Sequence, residues 1–121
     1  MRYMLLIYND PIERDQMMEG ISPEQMAELM QAWFDYTASL QDQGIYRAGD
    51  ALEGLDTATT VRVRDGETLV SDGPFAETKE ALGGYYIIEC DTLDVAIEAA
   101  SRIPTAPYGS VEVRPLMEFE Q

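Results

Sequence analysis

From Ser22 to Gly44 the sequence spells one long amphipathic helix, and the need to cover that helix limits what the chain can become. Ser22 can accept a hydrogen bond from a free N–H of the first turn, Pro23 has the φ of a first helical residue, and Gln25 can complete a capping box. Met26, Leu29, Met30, Trp33, Phe34, Thr37 and Leu40 follow at offsets of three and four, which gathers them into one broad apolar stripe. Gly44 supplies the C-terminal stop. About 21 residues at roughly 1.5 Å each span about 30 Å, the width of a small sheet. The stripe is therefore expected to be core, laid across strands, with a cofactor box as the lesser reading.

Those strands are legible on either side. Arg2–Tyr8 is apolar on both faces, as a central strand covered twice would be. Asn9-Asp10-Pro11 reads as the turn that ends it, and residues 12–21 read as a loop, with room for a short helical turn, and Met17 and Met18 as its apolar pair. Ile45–Leu52 is a strand after the helix. Thr59–Arg64 alternates in period two, Asp65-Gly66 is a hairpin turn, and Glu67–Val70 pairs back. Leu82–Glu89 is a further strand rich in Tyr and Ile. Asp91 or Thr92 caps a second helix with Leu93, Ala96, Ile97 and Ala100 facing inward and Pro104 beyond its end. Ser110–Pro115 alternates cleanly and closes the chain, Pro115 suiting an edge or a bulge.

Two helices cannot cover both faces of a five- or six-stranded sheet. The expected fold is α+β: a ferredoxin-like antiparallel sheet with two helices on one face. The other face must be buried differently, and a second copy packed sheet against sheet does so, which gives a homodimer of the α/β-barrel type. The length of 121 residues and the 45% hydrophobic content suit a single domain over 1–121.

Charge and missing residue types exclude several functions. The net charge is −15, and the first sixty residues hold three basic side chains against eleven acidic ones. No cluster of Lys and Arg is present to displace counterions from phosphates, so no nucleic-acid and no anionic-membrane partner is expected. The apolar run Met4–Ile7 is too short for a signal-peptide core or a membrane span. The single cysteine, Cys90, fits a reducing, cytoplasmic setting and reads as a small core residue. The chain has no histidine, which removes Ser-His-Asp and Cys-His nucleophiles and zinc sites of the Cys/His kind. Acid–base chemistry must then use Asp, Glu, Lys, Tyr or Cys. No metal site and no cofactor is expected.

The chemically dense stretch is Ser71–Tyr86. It holds two permissive turns, Asp72-Gly73-Pro74 and Gly83-Gly84, around Glu77-Thr78-Lys79-Glu80, and Lys79 is the only lysine. Asp72 can fix its own turn by accepting backbone N–H groups, or serve as a general base. Lys79 can pair with Glu77 or Glu80, or meet an anionic small molecule. Arg47 and Arg114, on strands, can add to such a site or pair across strands. Tyr8, Tyr85, Tyr86 and Tyr108 can orient a ligand through their hydroxyls. Gly83-Gly84 inside a strand implies a close neighbour there, the Trp33 helix or a ligand.

These residues resemble a known family. Asp72-Gly73-Pro74-Phe75, then Ala76-Glu77-Thr78-Lys79-Glu80 and Leu82-Gly83-Gly84-Tyr85, is similar to the signature of the DGPF-domain proteins of the YCII-related group. The opening Met1–Tyr8, Ser22–Met26, Thr59–Arg62 and Gly109–Pro115 agree with it. The resemblance implies the ferredoxin-like fold, barrel-type dimers and a bacterial, cytoplasmic protein. It also implies a gene neighbourhood shared with extracytoplasmic-function sigma factors. The histidine–aspartate dyad proposed for YCII relatives has no counterpart, since the chain lacks histidine and Ile103 precedes Pro104.

The expected function is to bind or transform a small molecule, an anion among the candidates, at a cleft near the DGPF loop and the dimer interface. Asp72 and Lys79 would act as catalytic groups there, with Tyr8, Arg47, Phe75, Glu77 and Tyr85 as ligand contacts. The residues admit an enzyme or a binder. The alternative is a non-catalytic interaction module in sigma-factor-linked regulation.

Overall fold

The computed structural model describes residues 1–119. Strand β1 (Arg2–Asn9) is followed by helices α1 (Pro11–Glu19) and α2 (Pro23–Asp42). Then come β2 (Tyr46–Ala51), β3 (Thr59–Arg64), β4 (Glu67–Asp72), β5 (Ala81–Glu89), α3 (Leu93–Ser101) and β6 (Ser110–Pro115). The main sheet has four antiparallel strands in the order β2-β5-β1-β6, and β3-β4 form a separate two-stranded sheet. This α+β arrangement is compatible with a ferredoxin-like fold.

Alternation along the central strands sets the layers. Tyr3, Leu5 and Ile7 of β1 and Tyr86 and Ile88 of β5 are buried, as are Tyr36 and Leu40 of α2 and Ala96, Ala99 and Ala100 of α3, all in one cluster. The alanines let α3 lie close to the sheet, and the Tyr36 hydroxyl donates to the Ala99 carbonyl oxygen at 2.7 Å, tying the two helices together. Met4, Leu6 and Tyr8 of β1 and Tyr85 and Ile87 of β5 alternate onto the opposite face and are half-buried. The capping box of α2 is as the sequence predicts, with Ser22 Oγ accepting from Gln25 N and Gln25 Oε1 accepting from Ser22 N.

Three expectations change. The described residues hold three α-helices, because Asp10-Pro11 is a cap and first helical residue rather than only a turn: the Asp10 carboxylate accepts from the N–H groups of Ile12 and Glu13. The main sheet is smaller than five or six strands, since Gly54–Ala58 carries the β3-β4 hairpin away from it. The apolar stripe of α2 divides, too. Leu40 is core, joined by Tyr36, whereas Met30 and Phe34 are 48% and 62% exposed. On α3, Leu93 and Ile97 likewise point outward and Ala99 is buried instead.

Candidate functional site

The loop after β4 is held by its backbone and hydroxyls. Gly73, at φ +93°, donates its N–H to Ala58 O at 2.7 Å, and Thr60 Oγ1 donates to Gly73 O at 2.8 Å. Arg62 Nη2 donates to Phe75 O at 3.2 Å, and Ser110 Oγ donates to Glu80 Oε1 at 2.8 Å. The Asp72 carboxylate takes no part in these bonds; Asp72 is the last residue of β4 and is exposed. Lys79 forms no ion pair among the described residues, so neither Glu77 nor Glu80 pins it. Phe75 is 77% exposed. Glu77 and Lys79 edge a recess of about 440 Å³ against Pro11, Ile12 and Leu55, which Asp10 and Asp56 also line.

The remaining sequence candidates lie on the sheet. The Tyr8 hydroxyl donates to Glu112 Oε1 at 3.5 Å, and the Tyr85 hydroxyl donates to Asp50 Oδ2 at 2.9 Å. That bond, then the charge of Asp50, raises the Tyr85 phenol above its ordinary value. Arg47 donates from Nε to Glu89 Oε1 at 3.1 Å. Glu89 ends β5 and Ala81 begins it, so Arg47 stands roughly 27 Å along the sheet from the loop. Arg114 is opposite Met4 on β6. The structure thus gathers Phe75, Glu77 and Lys79 on one loop and leaves Arg47 at the far end.

The larger concavity is elsewhere. Between α1, α2 and the β2-β5 side of the sheet runs a groove of about 770 Å³. Its lining holds Met17, Met18, Met26 and Met30, four of the seven methionines, with Leu29, Trp33 and Phe34. Tyr86 is at its floor. The Trp33 ring stacks 6.4 Å from that of Tyr86, and Tyr36 and Tyr46 meet the same ring edge-on at 5.2 and 6.4 Å. Two glycines shape the floor. A Cβ on Gly49 would lie 2.7 Å from the Tyr86 ring, and one on Gly84 would lie 2.9 Å from Asp50 O. The neighbour that Gly84 admits is therefore the backbone of β2, not α2, and the space above it belongs to the groove.

Polar groups in the groove are few. The Thr37 and Tyr86 hydroxyls share one hydrogen bond of 2.8 Å. Burial raises the Tyr86 phenol above its ordinary value, and the bond to Thr37 opposes that rise, so the group is a neutral donor at physiological pH. The charged residues of the lining are Asp10, Glu13 and Asp50 against Arg14. Burial pushes up the thiol of Cys90, which is free and donates to Thr92 O. Sequence reasoning favours the core for the α2 stripe over a cofactor box and so does not find the groove. The available signal was Asp10-Pro11 preceding Met17-Met18, a helix start before an apolar pair that α2 does not need for its own covering.

A split βαβ sheet backed by helices, with an open groove at one end, defines the class. The chain belongs to the YCII-related domain family, whose model matches residues 1–120. It is 37% identical over 122 aligned positions to an uncharacterised protein of Rhizobium meliloti (strain 1021), a match that spans 99% of this chain and 95% of that one. Among the described residues no helix is long and apolar enough to cross a membrane.

Proposed function

We propose that the protein is a cytoplasmic homodimer that binds a small, largely apolar molecule in the groove between α1, α2 and the sheet. The observation that carries this reading is the groove itself. Its volume of about 770 Å³ lies within the usual range of small-molecule sites, and its walls are thioether and aromatic with few polar groups. Methionines adapt to irregular ligands, and four of them on two helices give a wall that can reshape. The second copy is assigned to the other sheet face, where Met4, Leu6 and Ile87 stand half-buried with no helix over them among the described residues.

The test has two parts. Leu6→Glu places a charge on the open sheet face and is expected to give a monomer by light scattering that still binds groove ligands found by thermal-shift screening. Phe34→Glu, on the groove wall, is expected to abolish that binding and keep the dimer. Loss of the dimer in Phe34→Glu with an intact dimer in Leu6→Glu would mean that the groove is filled by the second copy.

The DGPF loop supports a second reading, a site for an anionic molecule at the recess beside Lys79, with Asp72 near it. Its support is that Lys79 has no ion pair among the described residues. Against an anion stand Asp10, Asp56 and Glu77 around the same recess. The sigma-factor-linked interaction module draws support from the β3-β4 hairpin, where Val61, Val63 and Val70 are each about 60% exposed. A partner that co-purifies with the wild type and is lost from a Val61→Asp/Val63→Asp variant would favour it.

A further inference from the structure

We propose that the groove's ligand is an uncharged, mainly apolar molecule bearing a carbonyl or similar acceptor, received by the Thr37–Tyr86 hydroxyl pair. The inference rests on the groove reading and adds the chemistry of its occupant.

Proton bookkeeping carries it. Two hydroxyls own two protons. The 2.8 Å contact uses one of them, whichever oxygen donates. Neither hydroxyl has another partner among the described residues, so one proton is left to donate. Tyr36 offers the contrast: its hydroxyl is spent on Ala99 O at 2.7 Å. Both members of the pair line the groove, among apolar and aromatic walls. A donor in such surroundings favours a ligand that supplies an acceptor there and penalises one that does not, because the unpaired proton is then shut away from water.

The charges point the same way. Among the ionisable residues of the lining, Asp10 is committed to the α1 cap and Asp50 to the Tyr85 hydroxyl. Both keep their negative charge, so with Glu13 and Arg14 the lining holds three carboxylates against one guanidinium. An anion is therefore repelled, and a cation, which brings no acceptor, leaves the free hydroxyl proton unpaired.

The test uses four probes of one shape: 2-acetylnaphthalene, 2-ethylnaphthalene, 2-naphthoate and 2-(aminomethyl)naphthalene, titrated calorimetrically into the wild type and into Thr37→Val/Tyr86→Phe. The double change swaps both hydroxyls for groups of similar shape, which is close to neutral for folding when both partners go together. In the wild type the ketone is expected to bind about three- to tenfold tighter than the hydrocarbon, the range of one neutral hydrogen bond. Both ions are expected to bind more weakly than the ketone. In the double variant the ketone's advantage should vanish. Failure of all four probes to bind the wild type would overturn the groove reading as well. Binding without a ketone preference, or a preference that survives the double change, would overturn this inference alone. If the double variant does not fold, the wild-type ranking decides, and a tighter naphthoate or ammonium probe overturns the proposal.

Discussion

The Trp33 ring lies over that of Tyr86 with centroids 6.4 Å apart and planes 13° from parallel, and this stack joins α2 to β5 at the floor of the groove. Trp33 is the only tryptophan, so its emission reports that one place. A ligand entering the groove displaces water from the exposed side of the indole. Its emission should shift to the blue or be quenched in step with calorimetric saturation. No spectral response during saturable binding would place the ligand elsewhere.

Gly49 permits the Tyr86 ring to lie on β2. Gly49→Ala would set a Cβ 2.7 Å from that ring, closer than real contacts allow. The ring must move, and overpacking of this kind costs about 1–3 kcal/mol. The variant is expected to lower the denaturation midpoint and to red-shift Trp33. An unchanged midpoint and spectrum would contradict the role given to Gly49.

Tyr36 sets a pH dependence. Burial raises its phenol well above the ordinary value, with Arg102 opposing. Below about pH 10 folded and unfolded chains both keep the proton, so nothing is gained or lost. Above it the unfolded chain ionises first, and stability falls as pH rises toward the folded-state value. Chemical denaturation at pH 9 and 11 should show this loss, with a smaller loss in Tyr36→Phe. Equal slopes in the two proteins would contradict it. At pH 7 the same variant removes the hydroxyl's bond to Ala99 O, which keeps the Arg102 N–H, and should cost about 0.5–1.5 kcal/mol.

The loop residues separate structure from site. Asp72 and Lys79 hold neither the turn nor an ion pair among the described residues, so Asp72→Asn and Lys79→Met should leave stability within about 0.5 kcal/mol. Groove binding should be unchanged in both. Loss of binding in Lys79→Met with an unchanged denaturation midpoint would move the site to the loop.

The strands and the long helix were readable because their signals are local. The β1 and β6 patterns, the Ser22 box and the Asp65-Gly66 turn each lie within a few residues of one another, and each stands where the sequence places it. The groove was not readable, because it depends on how far α1 and α2 stand from the sheet. An apolar stripe looks the same whether it faces a core or a cavity, and only the packing separates Leu40 from Phe34. The DGPF stretch drew attention through its ionisable residues, yet its fixed geometry comes from Gly73, Thr60 and Arg62, whose bonds to backbone carry no sequence signature.

The methionines give the most direct test of the groove. Met17, Met18, Met26 and Met30 line it, while Met1, Met4 and Met117 do not. With methyl-13C-methionine protein, titration of 2-acetylnaphthalene should move the four groove methyl resonances together and leave the other three in place. Shifts confined to Met4, on the open sheet face, or no shifts at saturating probe, would contradict a ligand site in the groove.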